Sequence, residues 1–294
     1  MANKLNRLLF GTAGVPHSTP KKNNPIAGVK QIHELNLDCM QLEFAHGVRM
    51  KEEVSSGLRR ASYEYNIPLT SHGPYYINLN AREQDKIDSS MERIIQTAKI
   101  SDLCGAESMT FHAAFYMKDS PYDVFELVEK SLSEIEERLS RLDIEIELRP
   151  ELTGKTSQFG SLDELIELTK SVSSCRPCLD FSHLYARTNT YNSYEEFCLI
   201  LDRLKQELGD QVLKNMHIHI SGISSNAKGD LKHLNLSDSN FNWKDLIRAL
   251  KDYNCVGYVI CNSPNLEVDA KMLKDYYMSL PDSNSISSAS IEAN

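Results

Sequence analysis

The feature that most constrains the fold of this chain is an alternation repeated along nearly its whole length. Short β-rich runs are followed by longer stretches of helical period, and eight such pairs can be counted. The strand candidates are Leu8–Gly14, Cys39–Phe44, Leu69–Gly73, Ser108–Phe115, Ile144–Arg149, Cys178–His183, Asn215–Ser221 and Gly257–Asn262. Between them, sets such as Ile87, Met91, Ile94, Ile95 and Ala98, or Val124, Val128, Leu132, Ile135, Leu139 and Leu142, recur at spacings of three and four. That spacing puts the apolar groups on one helical face. Gly105, Gly209 and Gly257 each stand shortly before a strand and read as helix ends. Eight βα units with no break in composition predict one closed (β/α)8 barrel, an α/β fold, over residues 1–280. A doubly wound open sheet is the alternative, but it has no need of eight units, and no Gly-x-Gly-x-x-Gly turn follows the first strand. Residues 281–294 contain five serines and almost no large apolar side chain, and read as a flexible tail without catalytic work.

Composition narrows the classes. Of 294 residues, 41% are hydrophobic and 25% charged, which is ordinary for a globular chain and excludes wholesale disorder. No stretch approaches the ~18 consecutive apolar residues of a membrane helix. The amino terminus has neither the apolar run nor the cleavage site of a secretory signal. The expected location is the cytoplasm, beside the nucleoid, or the nucleus where a cell has one. Seven cysteines, an odd number spread over a long chain, argue against a disulfide framework. The single Cys-x-x-Cys pair, Cys175 and Cys178, lies at the start of a strand, the end of a barrel that serves stability, and reads as structural. Net charge is 32 − 41 = −9. An acidic chain ordinarily disfavours a nucleic-acid partner, unless bound divalent cations reverse the local sign.

Catalytic side chains of a barrel sit at the carboxyl ends of its strands and in the loops that follow. In this sequence the histidines and acids fall there with regularity. His72 ends strand three, His112 lies near the end of strand four and Glu151 follows strand five. Asp180 and His183 close strand six, His217 and His219 lie in strand seven, and Asp230 and His233 follow in a long loop. Of the two alternating histidines, His219 is nearer the strand end and is the better candidate. His17, His33 and His46 are read as ordinary structural histidines. Imidazole and carboxylate donors together suit zinc, manganese or iron. More than four of them over-supply one tetrahedral ion, so two or three ions are expected. Paired ions clamp the attacking and leaving oxygens of a phosphoryl transfer.

These residues resemble endonuclease IV, the metal-dependent apurinic/apyrimidinic endonuclease family of the xylose-isomerase-like barrels. The resemblance runs from strand one to strand eight. It is most specific in SHGPYYINL around His72, FHAAF around His112, LDFSHLYA around Asp180 and His183, and IHISG around His219. The segment RPELTGKTSQFGSLDEL looks most like the archaeal branch of the family. The resemblance implies a zinc enzyme, with manganese as the alternative metal, that cuts double-stranded DNA 5′ to abasic sites as a monomer without an organic cofactor. By position, His72, His112 and Glu151 would hold the first ion and Glu151, Asp180 and His219 the second. His183 and His233, with an acid of the same loop, would hold the third. Glu151 would be the bridging, catalytic carboxylate. Tyr75 and Asn78 match loop residues that lie against bent DNA in the family, with turn packing as the equally weighted alternative.

Two positions depart from the pattern. The family's acid two residues before the loop histidine is Leu231 here, and Asp230, three residues before His233, is the substitute. The family's strand-eight glutamate is Asn262, an amide that can coordinate a metal but brings no charge; Glu267 lies five residues further on. Lys118, Lys155, Arg187, Lys228 and Lys232 fall in the loops beside the proposed ligands and form a modest basic rim for phosphates. Two other functions stay open. One is a single-metal sugar isomerase or epimerase of the same barrel superfamily. The other is a catalytically weakened binder of damaged DNA, for which Asn262 is the main support.

Overall fold

A computed structural model describes residues 6–225 and 231–281. Lys228, Asp230 and the serine-rich segment from Asp282 onward lie outside the described residues. Eight parallel strands form the barrel: β1 (Leu8–Ala13), β2 (Cys39–Glu43), β3 (Leu69–His72), β4 (Ala106–Phe111), β5 (Glu147–Pro150), β6 (Cys178–Asp180), β7 (Met216–Ile220) and β10 (Gly257–Cys261). Their hydrogen-bonded order is β5-β4-β3-β2-β1-β10-β7-β6. The two end strands meet through the parallel bridges Leu148–Cys175 and Glu151–Cys178. Arg176 N donates to Leu148 O at 3.0 Å and Leu152 N to Cys178 O at 2.9 Å, which closes the ring. The chain is therefore a (β/α)8 barrel, as its alternation predicts.

Helices α1 (Pro25–Glu34), α2 (Glu52–Tyr65), α3 (Gln84–Cys104), α4 (Pro121–Ser140), α5 (Leu162–Ser171), α6 (Phe181–Thr188), α7 (Tyr194–Leu208), α8 (Trp243–Asp252) and α9 (Glu267–Ser279) follow the strands. Local chemistry sets their ends. In α4 the Ser120 hydroxyl accepts from Asp123 N and Pro121 occupies the first turn, where its missing N–H costs nothing. Val124, Val128, Leu132, Ile135 and Leu139 then form its buried stripe. Gly105 and Gly209 close α3 and α7 as read from the sequence. Gly257 does not end a helix. It opens β10 at φ +136, where a Cβ would lie 2.0 Å from the Met216 carbonyl oxygen.

Four further readings change. The sixth strand stops at Asp180 rather than at His183, because Asp180 Oδ1 accepts from His183 N at 2.7 Å and caps α6. The fourth strand ends at Phe111, and the fifth starts at Glu147 rather than at Ile144. The loop after strand seven contains an antiparallel hairpin, β8 (Gly222–Ser225) with β9 (Leu231–Leu234), in which Ile223 faces His233. The Cys175 and Cys178 thiols are free and buried, and burial pushes both upward in pKa, in keeping with a structural role. Among the described residues no helix is long and apolar enough to cross a membrane.

Candidate metal centre at the barrel mouth

Side chains alternate across a strand, so inward positions recur every second residue. The deeper inward layer holds Gln41, Ser108 and His217. His217 Nε2 lies 3.1 Å from Gln41 Oε1 and its Nδ1 lies 3.3 Å from Ser108 Oγ. Further along the strands, toward their carboxyl ends, stand Glu43, His72, His112, Glu151, Asp180, His219 and Asn262. The ring of ligand-type residues read from the sequence is therefore one layer of the barrel. It surrounds a cavity of about 440 Å³ lined by His72, His112, Glu151, His183, His233 and Asn262 among others. A larger depression of about 810 Å³, lined by residues such as Glu107, Glu136 and Arg176, contains no histidine.

Glu151 is the hub, and it is buried. Its Oε2 lies 3.0 Å from His72 Nε2 and 3.4 Å from His112 Nε2. Its Oε1 lies 3.3 Å from His183 Nδ1 and 3.5 Å from His219 Nδ1. Burial works to raise the Glu151 pKa, but His219 and His112 beside it outweigh this and hold it well below the usual carboxylate range. Burial likewise works against the His72 cation, yet the hydrogen bond to Glu151 lifts that imidazole to about 9. His183 also reaches about 9, burial being overcome by Asp180 and Glu151. His233 moves the other way, lowered by burial and by the neighbouring His183.

Four of the rings have one nitrogen committed outward. His72 Nδ1 is 2.7 Å from Gly73 O, His183 Nδ1 is 3.1 Å from Leu152 O and His233 Nδ1 is 3.2 Å from Asn262 O. A carbonyl only accepts, so a proton is assigned to each of these nitrogens, and Nε2 is the atom each ring would offer a cation, in place of the second proton that His72 and His183 otherwise carry. For His219 the committed atom is Nε2, 3.0 Å from Gln41 Oε1. The amide of Gln41 is oriented in turn, because its Nε2 donates to Glu43 Oε1 at 2.9 Å. His219 Nδ1 is thereby left facing Glu151 at 3.5 Å and the Asn262 amide nitrogen at 3.3 Å. An outer partner of this kind is what orients a metal-binding histidine.

The donor set fits cations. Two nitrogens bound ~2.05 Å from one ion across a tetrahedral angle stand about 3.3 Å apart. His183 Nε2 and His233 Nε2 are 3.3 Å apart. Two groups, His72 with His112 and Glu151, and Glu151 with Asp180 and His183, each bring three donor atoms within 4.8 Å of one another. Buried Asp180 Oδ2 and Asn262 Oδ1 have no hydrogen-bond partner, which is costly for a polar atom unless something else meets it. A third group, Cys178 with His217 and His219, satisfies the same distance. There, however, the nitrogens of His217 are already taken by Gln41 and Ser108, and His217 is held well below its ordinary pKa by burial and His219.

The remaining predicted residues divide. Tyr75 is half-exposed, with its ring centroid 5.4 Å from that of His72 and 6.1 Å from that of His112. Burial, together with Glu43 and Glu151, raises its phenol well above the ordinary value, so the hydroxyl stays a donor. Asn78 is a loop brace, since its Oδ1 accepts from Asn80 N and Phe115 N, each at 3.1 Å. Arg187 is not a free rim cation. Its guanidinium donates to Lys155 O at 2.7 Å, Gln158 O at 3.0 Å and Thr153 O at 3.2 Å, clamping the loop after β5. Lys118 and Lys232 are exposed, and Lys155 is half-buried. Glu267 stays away from the centre, its oxygens taken by His17 N at 3.0 Å and Ser18 N at 2.8 Å. Glu43 was missed by the sequence reading. The signal that marks it is the same two-residue step, Gln41 to Glu43, that links His217 to His219.

Comparison with known proteins agrees with this architecture. A family model described as a xylose isomerase-like TIM barrel matches residues 29–278. An uncharacterized protein of Methanocaldococcus jannaschii is 42% identical over 274 residues, covering 93% of this chain and 98% of that protein. An endonuclease 4 homolog of Dictyostelium discoideum is 23% identical over 194 residues, 65% of this chain and 36% of that protein. Among solved structures, endonuclease IV from Thermus thermophilus superimposes with a TM-score of 0.70 at 18% identity, over 92% of this chain and all (100%) of that one. A D-tagatose 3-epimerase-like protein gives 0.68 at 17% identity, over 91% of this chain and 97% of that one. At such identities these two likenesses concern the fold, which hosts both chemistries. The chain belongs to the xylose isomerase-like TIM barrel family.

Proposed function

We propose that this protein is a metal-dependent phosphodiester hydrolase that cuts double-stranded DNA 5′ to abasic sites, with two or three zinc ions, or manganese, at the barrel mouth. The observation that carries the reading is the convergence of His72, His112, His183 and His219 on the two oxygens of buried Glu151, with His233 Nε2 3.3 Å from His183 Nε2 beside them. One ion cannot use so many donors. His72, His112 and Glu151 would hold one cation, Glu151, Asp180, His219 and the Asn262 amide another, and His183 with His233 a third. Bound cations of this kind lower the pKa of a water and neutralise a leaving oxygen.

The chain's own groups do the rest. Glu151 turns one oxygen to His72 and His112 and the other to His183 and His219, so it would be shared between two sites. The protonated Tyr75 hydroxyl can donate to a phosphate oxygen at the edge of the cavity. Lys118, Lys155 and Lys232 supply positive charge on the rim, and Arg187 holds the loop that carries Lys155. The similarity to proteins named endonuclease 4 supports the same reading. An abasic lesion suits a recessed centre, because a missing base lowers the cost of turning the sugar out of the helix.

The test is a duplex with a single abasic site, incubated with the full chain and zinc, manganese, magnesium or chelator. Nicking with zinc or manganese that chelator abolishes is the expected result, and Glu151→Gln should remove it while the barrel still folds. No nicking with any metal would overturn the reading. Tight binding of one ion per chain would favour the epimerase class, whose sites need only about four donors around one ion.

A further inference from the structure

One carboxylate of the mouth is only half used in this scheme: one oxygen orients the Gln41 amide and the other has no task. Glu43 ends β2, is exposed, and stands in register with His72 on the neighbouring strand. Parallel partners point to the same side, and both residues line the same cavity. Its Oε1 is taken by the Gln41 amide at 2.9 Å, so the carboxylate is aimed from below. Among the described residues no lysine or arginine pairs with it. It is also outside both groups of converging donor atoms at the mouth, so it is not placed as a cation ligand. Ala13 and Ala45, with small side chains, line the same cavity, and among the described residues the hydrogen bond to the Glu43 carboxylate is the one to Oε1.

A carboxylate so placed selects by hydrogen bonding. It accepts from a hydroxyl and repels a phosphate, whose unesterified oxygens are acceptors only. The His72, His112 and Glu151 wall, which would hold a cation, is the place for the phosphate. Among the described residues of the cavity, Glu43 is the group suited to accept from the sugar. We propose that Glu43 is a specificity-determining residue that accepts a hydrogen bond from the free hydroxyl of the abasic sugar turned into the mouth. This rests on the phosphodiesterase reading above, and adds which lesions the site prefers. A true abasic sugar carries a hydroxyl at the carbon that has lost its base; a tetrahydrofuran analogue does not.

The experiment compares kcat/KM on two otherwise identical duplexes, one with a true abasic site and one with the tetrahydrofuran analogue, for the parent protein, Glu43→Ala and Glu43→Gln. The parent should prefer the hydroxyl-bearing site by about tenfold, equivalent to about 1.4 kcal/mol. Glu43→Ala should reduce that preference to near unity, any loss common to both duplexes being the cost of freeing the Gln41 amide, and Glu43→Gln, which keeps an acceptor oxygen, should retain part of it. The number of ions per chain, counted by elemental analysis, should be unchanged in Glu43→Gln, which leaves the Gln41 amide an acceptor. No preference in the parent, a preference unchanged in Glu43→Ala, or loss of an ion from Glu43→Gln would overturn the inference while leaving the hydrolase reading intact. A parent protein that nicks neither duplex would overturn both.

Discussion

The Nε2 atoms of His183 and His233 stand 3.3 Å apart while the Nδ1 atom of each ring is held by a main-chain carbonyl, of Leu152 and Asn262 respectively. Two neutral rings so anchored would point lone pairs at each other, so a proton or a cation must lie between them. In the metal-free protein it is the proton on His183, lifted to about 9, with His233 correspondingly lowered. His233→Ala should therefore remove one ion per chain and leave the others. Elemental analysis after dialysis checks this, and an unchanged count would show that the pair does not hold a cation.

Gln41 accepts from two histidines and donates to Glu43, so it sets the tautomer of His219 from behind. Gln41→Leu should weaken metal binding about 10- to 100-fold, the usual consequence of removing such an outer partner. It should also destabilise the fold by about 1–3 kcal/mol for each buried N–H left without an acceptor. Competition with a chromophoric chelator and a denaturant titration measure the two effects separately.

Protons and metal compete for the same atoms, which gives stability a pH signature. His72 and His183 have folded pKa values near 9, above the unfolded value of 6.5. Their stabilisation of the metal-free fold is complete below pH 6.5 and disappears as pH rises through about 9. Glu151, lowered in the folded state, stabilises above its unfolded value of 4.5 and loses that contribution as acid protonates it. The Tm of metal-free protein should fall between pH 6.5 and 9, whereas zinc-loaded protein should hold or gain Tm over the same interval because metal binding releases protons. Parallel Tm profiles with and without zinc would contradict this.

Asn262 leaves Oδ1 buried and unpartnered where a carboxylate would carry charge. Asn262→Glu should tighten the second ion, read as slower loss of zinc to chelator. It should also raise nicking if that ion limits the rate. Slower zinc loss with no gain in nicking would show that this position governs affinity and not turnover.

DNA binding should be steeply salt-dependent despite the net charge of −9, because contact is confined to a basic rim. Replacing exposed Lys118 or Lys232 by Ala should each reduce the slope of log K against log salt by about one, whereas Arg187→Ala should act through the 153–158 loop instead. Fluorescence anisotropy over a salt series distinguishes the two behaviours.

Much of this protein was legible in its sequence, for a reason that lies in the periodicity of its elements. Short β-rich runs between helical stretches mark eight strands, and the strand ends name His72, His112, Glu151, Asp180 and His219, because a parallel barrel delivers all its carboxyl ends to one rim. What sequence spacing does not encode is which atoms are already spent. Only the packed structure shows Arg187 consumed by carbonyls of its neighbouring loop, Asn78 bracing a turn, and Asp180 ending its strand by capping the next helix. It likewise brings Glu43 into the ring, where a 2.9 Å hydrogen bond from a buried amide aims it at the cavity. Side-chain direction along a strand is a local property and can be read residue by residue; competition among donors and acceptors is settled by groups far apart in the chain, and exists only once the barrel has closed.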